Sequence, residues 1–205
     1  MENFAFIFTT CFTLLGPIKL IPSFAGLTRG TELPFKRSVA IWSIVIASVL
    51  CVFVAVIGTT ILGKYRISLE ALRISGGLVL LISALQVIFQ KVKPTSPVTG
   101  TPAALQLAVS PVAVPMIVPP AGVAVILVSM MLAPQFPGTP QAVAICLAIV
   151  MVLDFLVMVF IDRVIKTPGF GLVLTVLGSV LVFVQVCLGI QTILNGLQGL
   201  GIFKV

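Results

Sequence analysis

The sequence predicts an all-α integral membrane protein of six transmembrane helices, arranged as two inverted three-helix repeats with broken first and fourth helices. Three observations predict it. The chain of 205 residues is 60% hydrophobic and 8% charged, with a mean hydropathy of +1.30. Soluble domains carry about 25% charged residues, and a chain this short cannot hide so much apolar surface from water. Polar, proline-bearing connections cut it into apolar runs near the ~20 residues that cross a bilayer. Proline clusters then fall inside two of those runs, at corresponding places in the two halves. Residues 1–205 read as a single membrane domain, with repeat one at 1–92, a linker at 93–103 and repeat two at 104–205.

The first run covers about residues 4–27 and starts Met1-Glu2-Asn3, without a basic stretch ahead of it. It is long enough to span and reads as a permanent helix, not a cleaved signal. In its middle stands Gly16-Pro17-Ile18-Lys19-Leu20-Ile21-Pro22. The two prolines remove two backbone donors and disfavour helix at the residue before each, and Gly16 adds backbone freedom. A polar connection, Arg29 to Arg37, leads to the second span at about 38–62, with Trp42 near one membrane interface and Tyr65 at the other. The third span, about 68–90, carries Ser75-Gly76-Gly77, which lets another helix approach closely. Lys91 to Gly100 is the clearest linker. The fourth span, about 104–133, holds the second break, Ser110-Pro111-Val112-Ala113-Val114-Pro115 with Pro119-Pro120 beyond, and Pro134 to Pro140 closes it. The fifth span, about 141–161, contains Asp154 and is followed by Asp162 to Lys166. The sixth, about 170–197, carries Gln185, Gln191 and Asn195, which read as interhelical hydrogen-bonding groups.

Charge sets the orientation. If the first connection is cytoplasmic, the inside holds Arg29, Lys36, Arg37, Lys91, Lys93, Arg163 and Lys166. The outside holds Lys64, Arg66 and Lys204, with Arg73 near its interface. The excess of cytoplasmic lysine and arginine predicts N-out and C-out termini in the inner (plasma) membrane. The net charge of +7 is scattered over connections, which argues against a nucleic-acid partner. Cys11, Cys51, Cys146 and Cys187 all lie in apolar runs and read as small buried residues, not a disulfide framework. No histidine is present, so the commonest metal ligand and the commonest general base are missing. Neither a cofactor nor a metal is expected.

Three spans per half is an odd number, so the second half must sit inverted. Pro17 and Pro111 lead the broken segments, and Ile74-Ser75-Gly76-Gly77-Leu78 can be laid on Val176-Leu177-Gly178-Ser179-Val180. Inverted repeats with discontinuous helices at matched positions point to a secondary transporter and its site. Unwound backbone in a bilayer must line a cavity or lie buried in protein. Half-helix N-termini attract an anion such as a carboxylate, and freed carbonyls can hold an ammonium group, so such a site suits a zwitterion. The plainer reading is a pair of proline kinks repaired by neighbouring helices. The candidate substrate-binding residues are Gly16, Pro17, Ile18, Lys19, Pro22, Ser110, Pro111, Pro115 and Pro119. Lys19 lies eight residues from the expected end of its span, roughly 12 Å along a helix and beyond easy snorkelling. It is expected either to face an anionic substrate group or to pair with Asp154, the carboxylate well inside a span. Asp154 is accordingly a coupling or ion-pair residue, with an interfacial acid close to Asp162 as the alternative.

At these residues the chain resembles the MarC family of inner-membrane proteins. The matching stretches are Pro17-Ile18-Lys19-Leu20-Ile21-Pro22 with Phe24, Arg73-Ile74-Ser75-Gly76-Gly77, Pro111-Val112-Ala113-Val114-Pro115 with Pro119-Pro120, and Gln191 with Asn195-Gly196. The resemblance covers essentially the whole chain. It implies two inverted three-helix repeats and a site at the breaks of the first and fourth spans, where SnatA-like members handle glycine and other small amino acids. The departures fall on that site: Gly16 replaces a polar Asn or Asp, and Lys19 and Pro119 replace glycines. The resemblance therefore implies the fold more directly than the substrate.

The expected function is a secondary transporter or exporter of a small polar metabolite, such as a small neutral amino acid, working by alternating access at a midplane site. Its partners are that small molecule and the lipid bilayer, and a homo-oligomer is compatible with the sequence. An ion or small-solute channel is the alternative. An intramembrane enzyme is disfavoured by the absence of histidine, of paired intramembrane carboxylates and of a nucleophile–base spacing.

Overall fold

A computed structural model describes residues 2–89, 104–132, 138–166 and 169–202. The described residues are helical apart from short connections. In order they form α1 Glu2–Leu15, α2 Pro17–Leu27, α3 Leu33–Lys64, α4 Leu69–Phe89, α5 Ala104–Leu107, a wide-turned and interrupted stretch Ala108–Ile117, α6 Pro120–Met131, α7 Thr139–Val159, α8 Ile161–Lys166 and α9 Phe170–Gly199. Among the described residues, five spans are long and apolar enough to cross a membrane, or six if the pair Ala104–Ile117 and Pro120–Met131, bent by 59°, counts as one. The linker at 93–103 lies outside the described residues, as do Lys91, Lys93 and Lys204.

Helix starts explain where the observed elements depart from expectation. The connection from Arg29 to Arg37 does not stay open to Arg37. Glu32 takes an extended conformation (φ −70°, ψ 154°) and α3 begins at Leu33, with Pro34 in its first turn. A proline there costs little, since first-turn amides have no carbonyl partner anyway. Lys36 and Arg37 therefore lie on the helix. At 32 residues α3 is about 48 Å long, well beyond the ~30 Å hydrocarbon core. Trp42 and Tyr65 are exposed and stand about 35 Å apart along the helix, close to one bilayer thickness.

The protein is apolar outside as well as inside. Val45, Val49, Val52, Phe53 and Val56 on α3 and Leu172, Val176, Val180 and Phe183 on α9 are all exposed, as on lipid-facing surfaces. The core lies between α1, α2, α3, the interrupted stretch, α6 and α7, around Cys11, Phe24, Ala47, Val112, Ile117 and Val150. Small residues set the spacing on α3. Ala40, Ser43 and Ala47 form a buried stripe, and Ser43 Oγ donates to the Ala108 carbonyl at 3.3 Å. On α7 the buried stripe is Val143, Cys146, Leu147, Val150, Met151, Asp154 and Met158, at helical spacing.

Helices α4 and α9 run antiparallel with backbones in contact. A Cβ on Gly77 would come 2.6 Å from the Gly189 carbonyl oxygen, and one on Gly196 would come 2.9 Å from that of Glu70. Gly77 thus has the packing role that its Gly-Gly motif suggests. Gly178, laid on the same motif by sequence, does not share it, for a Cβ there would meet nothing within 4 Å. The glycines of α9 that face α4 include Gly189 and Gly196, about three and five turns nearer its C-terminus, and Gly199 beyond them.

Candidate functional site

The first break is sharp. Gly16 is extended (φ −75°, ψ 167°), its amide donates to the Phe12 carbonyl at 2.9 Å, and α2 starts at Pro17. Pro17 has no N–H to leave unpaired, and its fixed φ suits a first helical turn. The amides of Ile18 and Lys19 follow as the first-turn donors that no helix carbonyl serves. Pro22 corrects the expectation of a break spread over both prolines. It lies inside α2, which continues past it, and its side is exposed. The discontinuity is one residue long because α1 supplies the carbonyls up to Gly16 and α2 begins afresh at once.

The second break is longer. Ser110 (φ −142°, ψ 126°) and Val114 (φ −131°, ψ 122°) are extended inside Ala108–Ile117, and the Ser110–Pro111 and Val114–Pro115 peptides are cis. Pro119 is again extended (φ −71°, ψ 159°) and Pro120 leads α6. The helix start that repeats Gly16-Pro17 is thus Pro119-Pro120, and Pro111 stands within the interrupted stretch. Ser110 and Pro115 are exposed, while Pro111 and Pro119 are half-buried.

Packing brings the start of α6 to the end of α1. A Cβ on Gly122, in the first turn of α6, would lie 2.9 Å from Leu15 Cδ2, so α6 begins against the residue that ends α1. Leu14 packs with Ala121 and with Leu80 of α4. The end of α1, one residue before the Gly16-Pro17 break, and the first turn of α6, just after Pro119-Pro120, are therefore neighbours.

Lys19 projects from the first turn of α2 to α9, where its Nζ donates to Gln185 Oε1. Gln185 is 2% exposed, and its Nε2 donates to Ser83 Oγ at 2.7 Å and to the Leu80 carbonyl at 3.2 Å, both on α4. Ser83 Oγ also donates to the Leu80 carbonyl at 3.0 Å. With both amide hydrogens held by α4, the amide oxygen is left to accept from the ammonium. Gln185, which sequence reasoning assigned only to interhelical hydrogen bonding, is the residue that holds Lys19 in the candidate site. Its signal was present as an amide on an apolar helix, but its partner lies 166 positions away. Gln191 and Asn195 do not bridge helices: Gln191 Nε2 donates to Asn195 Oδ1 at 2.9 Å along the exposed face of α9.

The expected pair between Lys19 and Asp154 is not formed. Asp154 is fully buried on α7, and neither carboxylate oxygen has a hydrogen-bond partner. The ion pair that does form joins Lys36 Nζ to Asp162 Oδ1 at 2.6 Å, so Lys36, counted by sequence as a connection charge, is tied between α3 and α8. Cys11, Cys51 and Cys146 are buried free thiols, and Cys187 is exposed. Among the described residues no group of three or more Cys, Asp or Glu is placed to hold a metal ion.

Two cavities flank this centre. One, of about 230 Å³, lies between α1, α4, α6, α7 and α9 and is lined by apolar side chains with Thr10, Ser129, Thr139 and Thr192. It reaches Leu80, whose carbonyl anchors Gln185. The other, of about 440 Å³ and more open, is lined by Val114, Val118 and Pro120 of the second break together with Leu50 and Ser75. Gly76 and Ala124 line both, so a thin wall of small residues separates them.

Comparison with known proteins adds the following. Residues 1–201 match the family described as MarC family integral membrane protein. The UPF0056 membrane protein MJ1677 of Methanocaldococcus jannaschii is 24% identical over 202 residues, covering 97% of this chain and 98% of that one. The UPF0056 inner membrane protein YhgN of Escherichia coli K12 is 26% identical over 125 residues, 61% of each chain. No solved structure matches the chain.

Proposed function

The chain belongs to the MarC family of integral membrane proteins, and we propose that it is a secondary transporter or exporter of a small polar metabolite. The observation that carries this reading is the packing of the α6 start, led by Pro119-Pro120, against the end of α1, directly before the Gly16-Pro17 break, with a lysine in the first turn of α2 that follows it. First-turn amides and a helix dipole favour a carboxylate at such a place, and Lys19 has N–H donors beyond the one given to Gln185. Backbone carbonyls of the interrupted stretch, where Ser110 and Val114 are extended and exposed, would suit a substrate ammonium. A small zwitterion such as glycine or another small neutral amino acid fits this pairing of charges.

The antiparallel pairing of α4 and α9 supports six crossings. Two helices that run opposite ways across a bilayer have an even number of crossings between them. With α7 as one, the bent unit that ends in α6 is the other, and both termini share a side. We read that side as the outside, from the lysine and arginine excess of the opposite one, in the inner membrane where the E. coli relative is named. The two inverted repeats remain our reading of the matched helix starts.

A transporter gives saturable counterflow, whereas a channel gives flux that does not saturate at low solute. In proteoliposomes loaded with glycine, wild-type protein is expected to exchange labelled glycine saturably. Lys19→Met is expected to cut that exchange at least about tenfold, the loss of roughly 1.4 kcal/mol of binding, while inserting normally. Unchanged kinetics in Lys19→Met would remove Lys19 from the site, and linear, non-saturating flux would favour the channel.

A further inference from the structure

Asp154 takes no part in the arrangement that holds Lys19, yet its setting is specific. It sits in the buried stripe of α7 between Val150, Met151 and Met158, fully buried, with both oxygens unpaired. Of the charged groups on α3, Arg37 and Lys64 are exposed near its ends. Cys11 lies on α1, Lys19 on α2 is bonded to Gln185, and Lys36 on α3 is paired with Asp162 of α8. Cys51 lies on α3, Cys146 lies on α7 itself, and Arg163 of α8 stacks on Phe160. Helix α6 carries no Asp, Glu, Lys, Arg or Cys.

A fully buried carboxylate with no protein hydrogen bond or counter-ion is unstable as an anion in a low-dielectric interior. Something must neutralise it. A metal cation would need a shell of oxygen ligands, and the surrounding stripe offers valine and methionine. A proton needs one oxygen only. We propose that Asp154 is a proton-binding site of the transport cycle: it holds a proton in the conformation described here and releases it when α7 moves against α3 and opens the carboxyl to water. On release the O–H bond breaks, its electron pair stays on the carboxylate and water takes the proton; uptake from the other side reverses the step. The role in the cycle rests on the transporter reading, whereas occupancy by a proton does not.

The sequence makes the test clean, because Asp154 and Asp162 are its two aspartates. Protein carrying ¹³C-carboxyl aspartate, reconstituted in liposomes, is compared by infrared spectroscopy at neutral pH. The expected result is an isotope-shifted band of a protonated, non-hydrogen-bonded carboxyl that persists in Asp162→Asn and is lost in Asp154→Asn. Carboxylate bands alone for both aspartates would overturn the proposal. So would a protonated band that vanishes when NaCl replaces choline chloride at constant pH, which would mark a sodium site. In proteoliposomes with glycine as the probe, wild-type uptake should respond to an inward proton gradient, and Asp154→Asn should lose that response. A response retained in Asp154→Asn overturns the coupling role. Absence of any glycine movement in wild type overturns the transporter reading and the coupling with it, while the infrared result decides proton occupancy by itself.

Discussion

At the scale of single residues, the glycines of this chain do unequal work, and the inequality can be measured. Gly77 packs where a side chain would strike the backbone of α9, so Gly77→Val forces two helices apart. Overpacking of this kind costs about 1–3 kcal/mol, and thermal unfolding in detergent should show it as a lowered midpoint. Gly178→Val, where a side chain meets open space, should stay within about 0.5 kcal/mol of wild type. Equal losses in both would contradict the packing described. Residue identity told part of this in advance. The Arg73 to Gly77 motif marked a close approach, since glycine pairs in a membrane helix have few other uses. It could not tell which glycines of α9 answer it, because that depends on how the two helices are rotated about their axes. Lys19 was legible as an anomaly for the same local reason, and its partner Gln185 was not. An ammonium in an apolar run is visible in one dimension, but the acceptor it finds is set by packing.

At the scale of elements, proline and glycine chemistry carried the reading furthest where it acts on a single turn. The break at Gly16-Pro17 is where local backbone rules put it. Pro22 and Pro34 show their limit. The same residue type ends a helix, starts one or rides within one according to which amides already lack partners. A polar run such as Leu33 to Arg37 looks like a loop by composition, although its proline sits in the first turn of α3. The break also makes a demand on Gly16 that the sequence did not reveal. A Cβ there would lie 2.1 Å from the Phe12 carbonyl oxygen. Gly16→Ala should therefore shift the end of α1 and lower stability by about 1–3 kcal/mol, visible in the same thermal assay. Thermal stability equal to wild type would mean that the α1–α2 junction differs from the one described.

At the scale of the whole molecule, the spans were legible because bilayer thickness fixes their length and lipid fixes their composition. Six apolar runs were visible before any coordinates, and the bent fourth unit is the one whose crossing needed a spatial argument. The pairing of α4 with α9 turns that argument into a topology. Fluorescent or protease-sensitive tags at the two ends should be reached from the same side of the membrane, and by the charge asymmetry from the outside. Tags reached from opposite sides would mean that the bent unit turns back within the bilayer. Distant relations were the least legible. The pair of Lys36 with Asp162 and the isolation of Asp154 join or separate residues far apart in the chain, and no local pattern encodes either.

The contact between α4 and α9 also says which parts can move. Two helices whose carbonyls and α-carbons touch along several turns have no side-chain layer to shear, so they slide or splay only by losing many contacts together. That pair behaves as a single stiff beam, and Gln185 fixes one end of the Lys19 contact to it. Any stroke that opens the centre to one side of the membrane is then left to the helices outside that pair, α7 and the jointed α1–α2 and bent unit among them, moving against a beam that stays still.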